Sequence, residues 1–173
     1  KEDDLLAMSP YRMAQELAED FSEIEEFVRI STYDWTVQNL PDAYNETVYV
    51  ADSNLLELFD FPVLAGTKNS ALSNPNSLVL SEEKARKYFG NNTNLNSMIG
   101  KSLTIREQDF SVTAIIDIKS SPTTLPVDII IPTSILLTVN PDFKRFFMTT
   151  WFGASQRAYV RMKPNMDLDE FNK

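Results

Sequence analysis

The sequence predicts an α+β fold, because segments with helical and with strand periodicity both occur along its 173 residues. Four apolar residues recur at the i, i+3, i+4, i+7 spacing of one helix face: Ala14, Leu17, Ala18 and Phe21. Residues 110–116 instead alternate apolar and polar side chains, which is typical of a strand. A helix-like segment at 82–89 lies between two strand-like ones, so helices and strands belong to one chain with one core.

In the first third of the chain, the pattern predicts a helix over 10–20, with Ser9 as its cap and Pro10 at its first position. Strands follow at 24–31 and 46–51. Asp52 is expected to cap a short helix that ends before Pro62, since the residue before a proline is pushed out of the helical region.

The middle of the chain opens with residues 67–76, which are rich in Asn, Ser and Pro and predict a linker or long turn. A strand at 77–80 then leads into a helix capped by Ser81 and ended by Gly90. Acidic residues at the start of this helix and basic residues near its end match the helix dipole.

Further strands are predicted at 103–106, 110–116, 127–131 and 157–162. Residues 133–155 are rich in aromatic side chains without a clear period, and we expect a short helix and irregular structure there. Asp167 and Glu170 have the spacing of a capping box, which predicts the start of another helix.

The composition excludes several kinds of chemistry, because the chain contains no His and no Cys. A Ser-His-Asp triad, a Cys-His dyad, a thiol redox centre and a zinc site built on His or Cys would each lack an essential side chain. Phosphate-binding glycine motifs are also missing, so ATP would have to be bound by another chain or domain, and we expect no cofactor here.

The charge disfavours anionic partners. The chain has 16 basic and 25 acidic residues, a net charge of −9, and we therefore expect neither nucleic acid nor an anionic membrane surface to bind it. No run of 18 to 20 apolar residues is present. The chain opens with Lys-Glu-Asp-Asp and lacks an initiator Met and a signal peptide, so we expect it to be a fragment of a longer protein.

Two kinds of site remain open from the residues alone. Six acidic residues could act in acid/base pairs, although most have a simpler structural role: Glu25, Glu26, Asp52, Asp60, Asp117 and Asp128. Three aromatic residues could form an exposed partner-binding patch or could instead fill the core: Phe146, Phe147 and Trp151. We expect no catalytic, cofactor-binding or metal-binding residue.

Three stretches in a fixed order change this assessment. They are 51–66 (ADSNLLELFDFPVLAG), 77–90 (SLVLSEEKARKYFG) and 99–105 (IGKSLTI), and they are followed by 110–117 and 128–132. Together they resemble the MacB-like periplasmic core domain of FtsX-like ABC transporter permeases. The resemblance covers nearly the whole chain, since 10–29 also looks like the helix and strand that precede this core.

The resemblance implies a fold and a location. Residues 1–70 and 156–173 would form a porter-like α/β-sandwich subdomain, discontinuous and truncated, and 71–155 an inserted, mainly β subdomain. The domain would lie on the periplasmic side of the inner membrane, between two transmembrane helices of its parent protein.

The resemblance also implies a mechanical function. The domain would be non-catalytic and would relay ATP-driven movement of the transmembrane helices to a substrate or a periplasmic partner, in export or in envelope remodelling. Its partners would be those helices, an ABC ATPase and an adaptor or substrate, and the parent permease would be dimeric.

Two other classes of function stay open. One is a stand-alone secreted binding module that uses the aromatic patch. The other is a carboxylate-dependent hydrolase, which requires two acids facing each other across a cleft.

Overall fold

A computed structural model describes residues 8–121, 123, 125–139, 142, 149, 151 and 156–164. The helices in this part of the chain are α1 Met13–Asp20, α2 Leu55–Leu58, α3 Glu82–Phe89, α4 Ser134–Val139 and a 3-10 helix at Leu95–Met98. The strands are β1 Ile24–Asn39, β2 Asp42–Ala51, β3 Val63–Gly66, β4 Ser77–Ser81, β5 Ser102–Ile105, β6 Gln108–Ile116, β7 Ile129–Pro132 and β8 Arg157–Met162. The predicted α+β class is confirmed.

All eight strands belong to one mixed sheet whose central part closes on itself. The hydrogen-bonded order is β2, β7, β4, β6, β5, β1, β8, and β1 also pairs with β2. Six strands therefore form a ring, from which β8 extends beside β1 and β3 beside β6. Parallel pairing occurs between β2 and β7 and between β4 and β6, and the other pairs are antiparallel.

Strand β1 is the longest element, with 16 residues and a contour of about 50 Å at the usual rise per residue. Its first part, 24–30, pairs with β8, and Val37 and Gln38 pair with β5 on the same edge. Its opposite edge pairs with β2 from Ile30 to Asn39. The β1–β2 hairpin turns at Leu40–Pro41, whose peptide bond is cis.

The core consists of two apolar clusters on opposite faces of the central strands. Along β4, Leu78 and Leu80 lie in one cluster and Val79 lies in the other. Strand β7 behaves in the same way, with Ile130 facing away from its two neighbours. Because successive side chains on a strand point to opposite faces, a strand buried on both sides is apolar along its centre, and the two buried serines of β4 lie at its ends.

Several local predictions are confirmed. The backbone N–H of Lys84 donates to Ser81 Oγ at 3.2 Å, so Ser81 caps α3 as expected, and Gly90 follows the last helical residue. Strand β8 has the predicted limits, and α4 is the short helix expected after residue 133. The helix expected at 167 lies outside the described residues.

Two cap predictions are wrong. Helix α1 begins at Met13 rather than at Pro10, and no side chain caps it. Ser9 instead forms an isolated bridge with Gln156, to whose carbonyl its hydroxyl donates at 3.5 Å. Asp52 does not cap α2, because its carboxylate accepts hydrogen bonds from Arg29. In both cases the predicted capping side chain forms hydrogen bonds with a residue distant in sequence instead of with the first turn of the helix.

Element lengths also differ from the sequence expectation. Strands β1 and β2 extend well beyond 24–31 and 46–51, because 32–47 form a polar hairpin held by cross-strand backbone pairing. The predicted linker 67–76 is a turn region that contributes Ala71 and Leu72 to the core. The division into 1–70 with 156–173 and 71–155 stays a prediction; strands from both segments share the one sheet.

Gly66 provides a direct test of the contact between β3 and β6. Its φ is +88°, and a Cβ there would lie 2.1 Å from the carbonyl oxygen of Thr113. Gly100 has a similar φ of +83° but open space around it. We expect Gly66→Ala to lower the free energy of unfolding by more than about 3 kcal/mol, and Gly100→Ala by only about 1 kcal/mol.

Urea denaturation of both variants measures this difference. The two substitutions share the strain of a left-handed backbone, so the excess at Gly66 reports the close approach alone. Equal losses at both positions would show that β3 is not packed tightly against β6.

Candidate functional site

The predicted aromatic patch is only partly within the described chain. Trp151 is exposed, with 56% of its surface accessible, and the guanidinium of Arg12 lies 5.0 Å from the centre of its ring. Arg12 also donates to the carbonyl of Thr149 at 3.2 Å and to Glu16 through Nε at 2.9 Å. Phe146 and Phe147 lie outside the described residues. Partner binding by this patch therefore stays a prediction, and Trp151 is its one member among the described residues.

The first polar cluster joins the chain before α1, strand β1 and the β2–α2 connection. Arg29 donates to Asp52 in a two-pronged arrangement, Nε to Oδ2 at 2.7 Å and Nη2 to Oδ1 at 3.1 Å. Its backbone N–H donates to the same Oδ2 at 3.0 Å. Both side chains are largely buried, at 12% and 14% exposure. We call Arg29, Asp52 and Tyr11 the Arg29 junction.

Tyr11 completes the Arg29 junction. The guanidinium of Arg29 lies 4.0 Å from the centre of the Tyr11 ring and donates to the Tyr11 carbonyl at 3.3 Å. Burial raises the pKa of Tyr11 to about 12. The positive charge of Arg29 opposes this increase, and the negative charge of Asp52 adds to it. The chain that precedes α1 is therefore fixed to the sheet by a charge and an aromatic face together.

A second set of contacts ties α2 and β8 to the same end of β1. Arg161 of β8 donates to the carbonyls of Glu57 and Leu58 at 3.0 and 2.7 Å and pairs with Glu26 at 3.1 Å. Asn54 donates to Glu26 at 2.8 Å. The residues that flank β8 make two further backbone hydrogen bonds. Ser9, which precedes α1, donates to Gln156, and Lys163 donates to Glu23, which precedes β1.

The other half of the β1–β2 hairpin is fixed to α3 by a buried carboxylate. Glu46, 8% exposed, accepts from Lys84 Nζ and Lys87 Nζ at 2.5 Å each and from the Tyr88 hydroxyl at 3.1 Å. Lys87 also lies 4.0 Å from the centre of the Tyr44 ring. We call Tyr44, Glu46, Lys84, Lys87 and Tyr88 the Glu46 cluster.

The titration behaviour of the Glu46 cluster follows from these contacts. Burial raises the pKa of Glu46, but the hydrogen bonds from Lys84 and Lys87, the charge of Lys84 and the Tyr88 hydroxyl outweigh it, and the net pKa is lowered. Burial and the nearby Glu46 carboxylate raise the pKa of Tyr88 above its ordinary value of 10. Glu46 is therefore a carboxylate and Tyr88 a neutral phenol at neutral pH.

Asp60 and Asp117, two of the six acidic residues considered for acid/base pairs, also have structural partners. Asp60 pairs with Lys68 at 2.5 Å, and this hydrogen bond lowers its pKa. Asp117 accepts from the backbone N–H groups of Lys119 and Ser120, and its hydrogen bonds with Ser120 lower its pKa. Carboxyls with lowered pKa values are poor proton donors at neutral pH, so neither suits the general acid of a hydrolase.

The described residues contain neither a candidate metal site nor a candidate membrane span. No group of three or more acidic residues within 8–121 and the later described segments is arranged to hold a metal ion. None of the helices there is long and apolar enough to cross a bilayer.

Solved structures with the same fold are domains of transporter proteins. A domain of a putative permease protein from Porphyromonas gingivalis matches with a TM-score of 0.76 and 20% identity, over 96% of this chain and 68% of that one. The periplasmic region of MacB from Actinobacillus actinomycetemcomitans matches with a TM-score of 0.70 and 13% identity, over 99% and 72%. The extracellular domain of the noncanonic ABC-type transporter YknZ from Gram-positive bacteria matches with a TM-score of 0.66 and 16% identity, over 96% and 78%.

This chain thus shares its fold with extracytoplasmic domains of transporter proteins. The family model of the MacB-like periplasmic core domain matches residues 3–173, and the chain belongs to that family. The resemblance inferred from the ordered motifs is confirmed. Among curated protein sequences none matches this chain.

The Arg29 junction is expected to contribute strongly to stability. Replacing Arg29 by Met leaves the largely buried Asp52 carboxylate without its charge partner, and we expect the free energy of unfolding to fall by about 2–4 kcal/mol. Arg86→Met is the matched control, because the Arg86–Glu82 pair is more exposed, at 32% and 41%. We expect it to lose at most about 1 kcal/mol. Chemical denaturation measures both losses, and similar values would contradict the assignment of a special role to Arg29.

The Glu46 cluster is expected to give the domain an acid-sensitive contribution to stability. Because the folded-state pKa of Glu46 lies below its ordinary value of 4.5, this contribution is complete above pH 4.5 and is lost as the pH falls through the folded-state pKa. We expect the stability difference between wild type and Glu46→Gln, about 1–3 kcal/mol at pH 7, to shrink below pH 4.5. Thermal unfolding from pH 3 to 8 measures it. A difference that stays constant over this range would exclude a lowered pKa.

Proposed function

We propose that this domain is a non-catalytic mechanical relay in an ABC transporter permease. In this proposal, a separate cytoplasmic subunit or domain binds and hydrolyses ATP, and the resulting movement of the parent protein's transmembrane helices reaches the domain through the segments that flank it. The domain passes this movement to a substrate or to a periplasmic adaptor. Family membership supports the location and the transporter context of this proposal.

The observation that carries the proposal is the continuity of β1. Its first residues lie beside α1 and β8, where the described segments that enter and leave the domain contact the sheet. Its last residues lead to the hairpin turn, where Leu40 is 83% exposed. From Glu26 to Asn39 the strand is paired with a neighbour on at least one edge, and displacement at one end is proposed to move the other.

The two polar clusters suit this relay. The Arg29 junction and the Arg161 contacts hold the first part of β1 to its neighbours, and the Glu46 cluster holds the hairpin to α3. A charge that is engaged in a buried network can be moved only with its partners. The domain should therefore move as a unit rather than bend at the hairpin.

Acid/base catalysis is the weaker reading of the same residues. The chain has no His or Cys, and Glu46, Asp60 and Asp117 all have lowered pKa values. Their partners belong to the domain itself: lysines at Glu46 and Asp60, the Tyr88 hydroxyl at Glu46, and Lys119 and Ser120 at Asp117. These features support a structural role for the carboxylates, and they support the non-catalytic part of the proposal.

Spin labels in the full permease, assembled with its ATPase in membranes, test the relay. This domain has no cysteine, so labels at Ser22→Cys, near the start of β1, and Leu40→Cys, at the hairpin turn, have no competing thiol in it. We expect the distance between Ser22 and Leu40 to be the same with and without ATP. The distance between the two Leu40 labels of a permease dimer should change when ATP binds.

A Leu40 to Leu40 distance that does not respond to ATP would overturn the relay, and a change between Ser22 and Leu40 would overturn the rigid strand. The alternative of a stand-alone secreted binding module makes a different prediction. It requires that the parent sequence have no stretch of about 20 apolar residues on either side of this domain. It also requires that Trp151→Ala abolish ligand binding without unfolding the protein.

A further inference from the structure

An apolar cavity of about 160 Å³ lies between the β5–β6 hairpin, β7 and α4. Its walls are formed by five aliphatic or aromatic side chains: Ile105, Phe110, Ile131, Ile135 and Leu136. Four of these are buried, with at most 4% exposure, and Leu136 is partly buried. The cavity thus reaches one of the two core clusters rather than lying in a shallow surface groove.

Trp35 of β1 forms a further wall of the cavity. Its ring is stacked on Tyr33, with 4.6 Å between the ring centres and an angle of 11° between the planes. This stacking leaves the indole little freedom to turn into the cavity and fill it. A ligand inside would contact the Trp35 ring directly, so the fluorescence of Trp35 can report binding.

The hairpin turn beside the cavity has an unusual backbone. Ile105 pairs with Gln108, so Arg106 and Glu107 alone form the loop, and their φ angles are +50° and +65°. Two-residue loops with both angles positive strongly favour Asn-Gly, because most other side chains are strained in this conformation. The chain tolerates this strain at the position that places Arg106 at the cavity.

Arg106 is the charged side chain among the described residues that line the cavity. Its guanidinium lies 5.2 Å from the centre of the Trp35 ring. Although the chain has 25 acidic residues, none of the ion pairs within the described part involves Arg106. Its planar donor groups remain available for a carboxylate, and the Gln108 amide lies on the same lining.

We propose that this cavity binds a small amphipathic anion, with an apolar group of about six carbons inside and a carboxylate against Arg106. The size follows from the volume, since a cavity of about 150 Å³ lined by apolar side chains accommodates benzene. The charge follows from Arg106, which forms no ion pair with the described residues and whose guanidinium can bind a carboxylate through two parallel hydrogen bonds. The site is independent of the proposed relay.

Binding of 3-phenylpropionate to the purified chain tests the proposal. The chain has two tryptophans, so Trp151→Phe leaves Trp35 as the only indole reporter. We expect saturable quenching or shift of Trp35 emission with a dissociation constant of the order of 1 mM. The neutral isostere 3-phenylpropanamide should bind about tenfold more weakly, because it forms no charge-assisted hydrogen bond.

Two variants separate the proposed site from general charge attraction. Arg106→Gln should reduce the affinity for the carboxylate about tenfold and leave that for the amide unchanged. Lys101→Gln removes an exposed charge at the other end of β5 that does not line the cavity, and it should change neither affinity. Leu136→Phe should narrow the cavity without adding a second indole, and it should weaken both ligands.

Three results would overturn the proposal, and none of them bears on the relay. They are equal affinities for the acid and the amide, equal losses in Arg106→Gln and Lys101→Gln, and a Trp35 signal that does not saturate. Unfolding curves of each variant distinguish lost binding from lost structure.

Discussion

The position of nearly every element depends on the hydrogen bonding of β1 along both of its edges. One edge is occupied by β2 over ten residue pairs, and the other is divided between β8 and β5. Strands β5 and β2 are also connected to each other by hydrogen-bonded pairing through β6, β4 and β7, so β1 closes the ring. A strand shared in this way cannot shift its register without breaking contacts with three partners at once.

Burial on both faces is the second constraint, and it explains where the charges lie. The inner strands β4 and β7 are buried at every residue, so ionic groups can be placed only at the ends of the sheet and along the hairpin. The Arg29 junction and the Glu46 cluster occupy those places. Each joins a strand to a segment outside the sheet, and each contains a carboxylate whose oxygens are all engaged by donors.

How far the sequence predicts this structure depends on the distance between interacting residues. Ser81 and the helix it caps could be identified, because donor and acceptor lie three positions apart. The contact of Arg29 with Asp52 spans 23 positions, and a local pattern offered Asp52 only the role of a cap. The role of Glu46 at the centre of its cluster could not be predicted either, since Lys84 and Lys87 lie about 40 positions away in the sequence. The order of the three sequence motifs predicted the family and the fold class correctly, because proteins that share this order also share such distant pairings.

Ring closure also bears on how the domain avoids self-association. Ring closure covers much of the backbone edge of each strand, although residues 42–48 of β2 and 31–36 of β1 pair with each other's strand alone. Among the described strands, β3 and β8 extend from the ring. Strand β3 has four residues, too few to template a long pairing. Strand β8 carries Arg157 and Arg161, and charges on an edge strand discourage a second sheet from adding to it. The edges of β3 and β8 would thus discourage strand pairing between two copies of this domain.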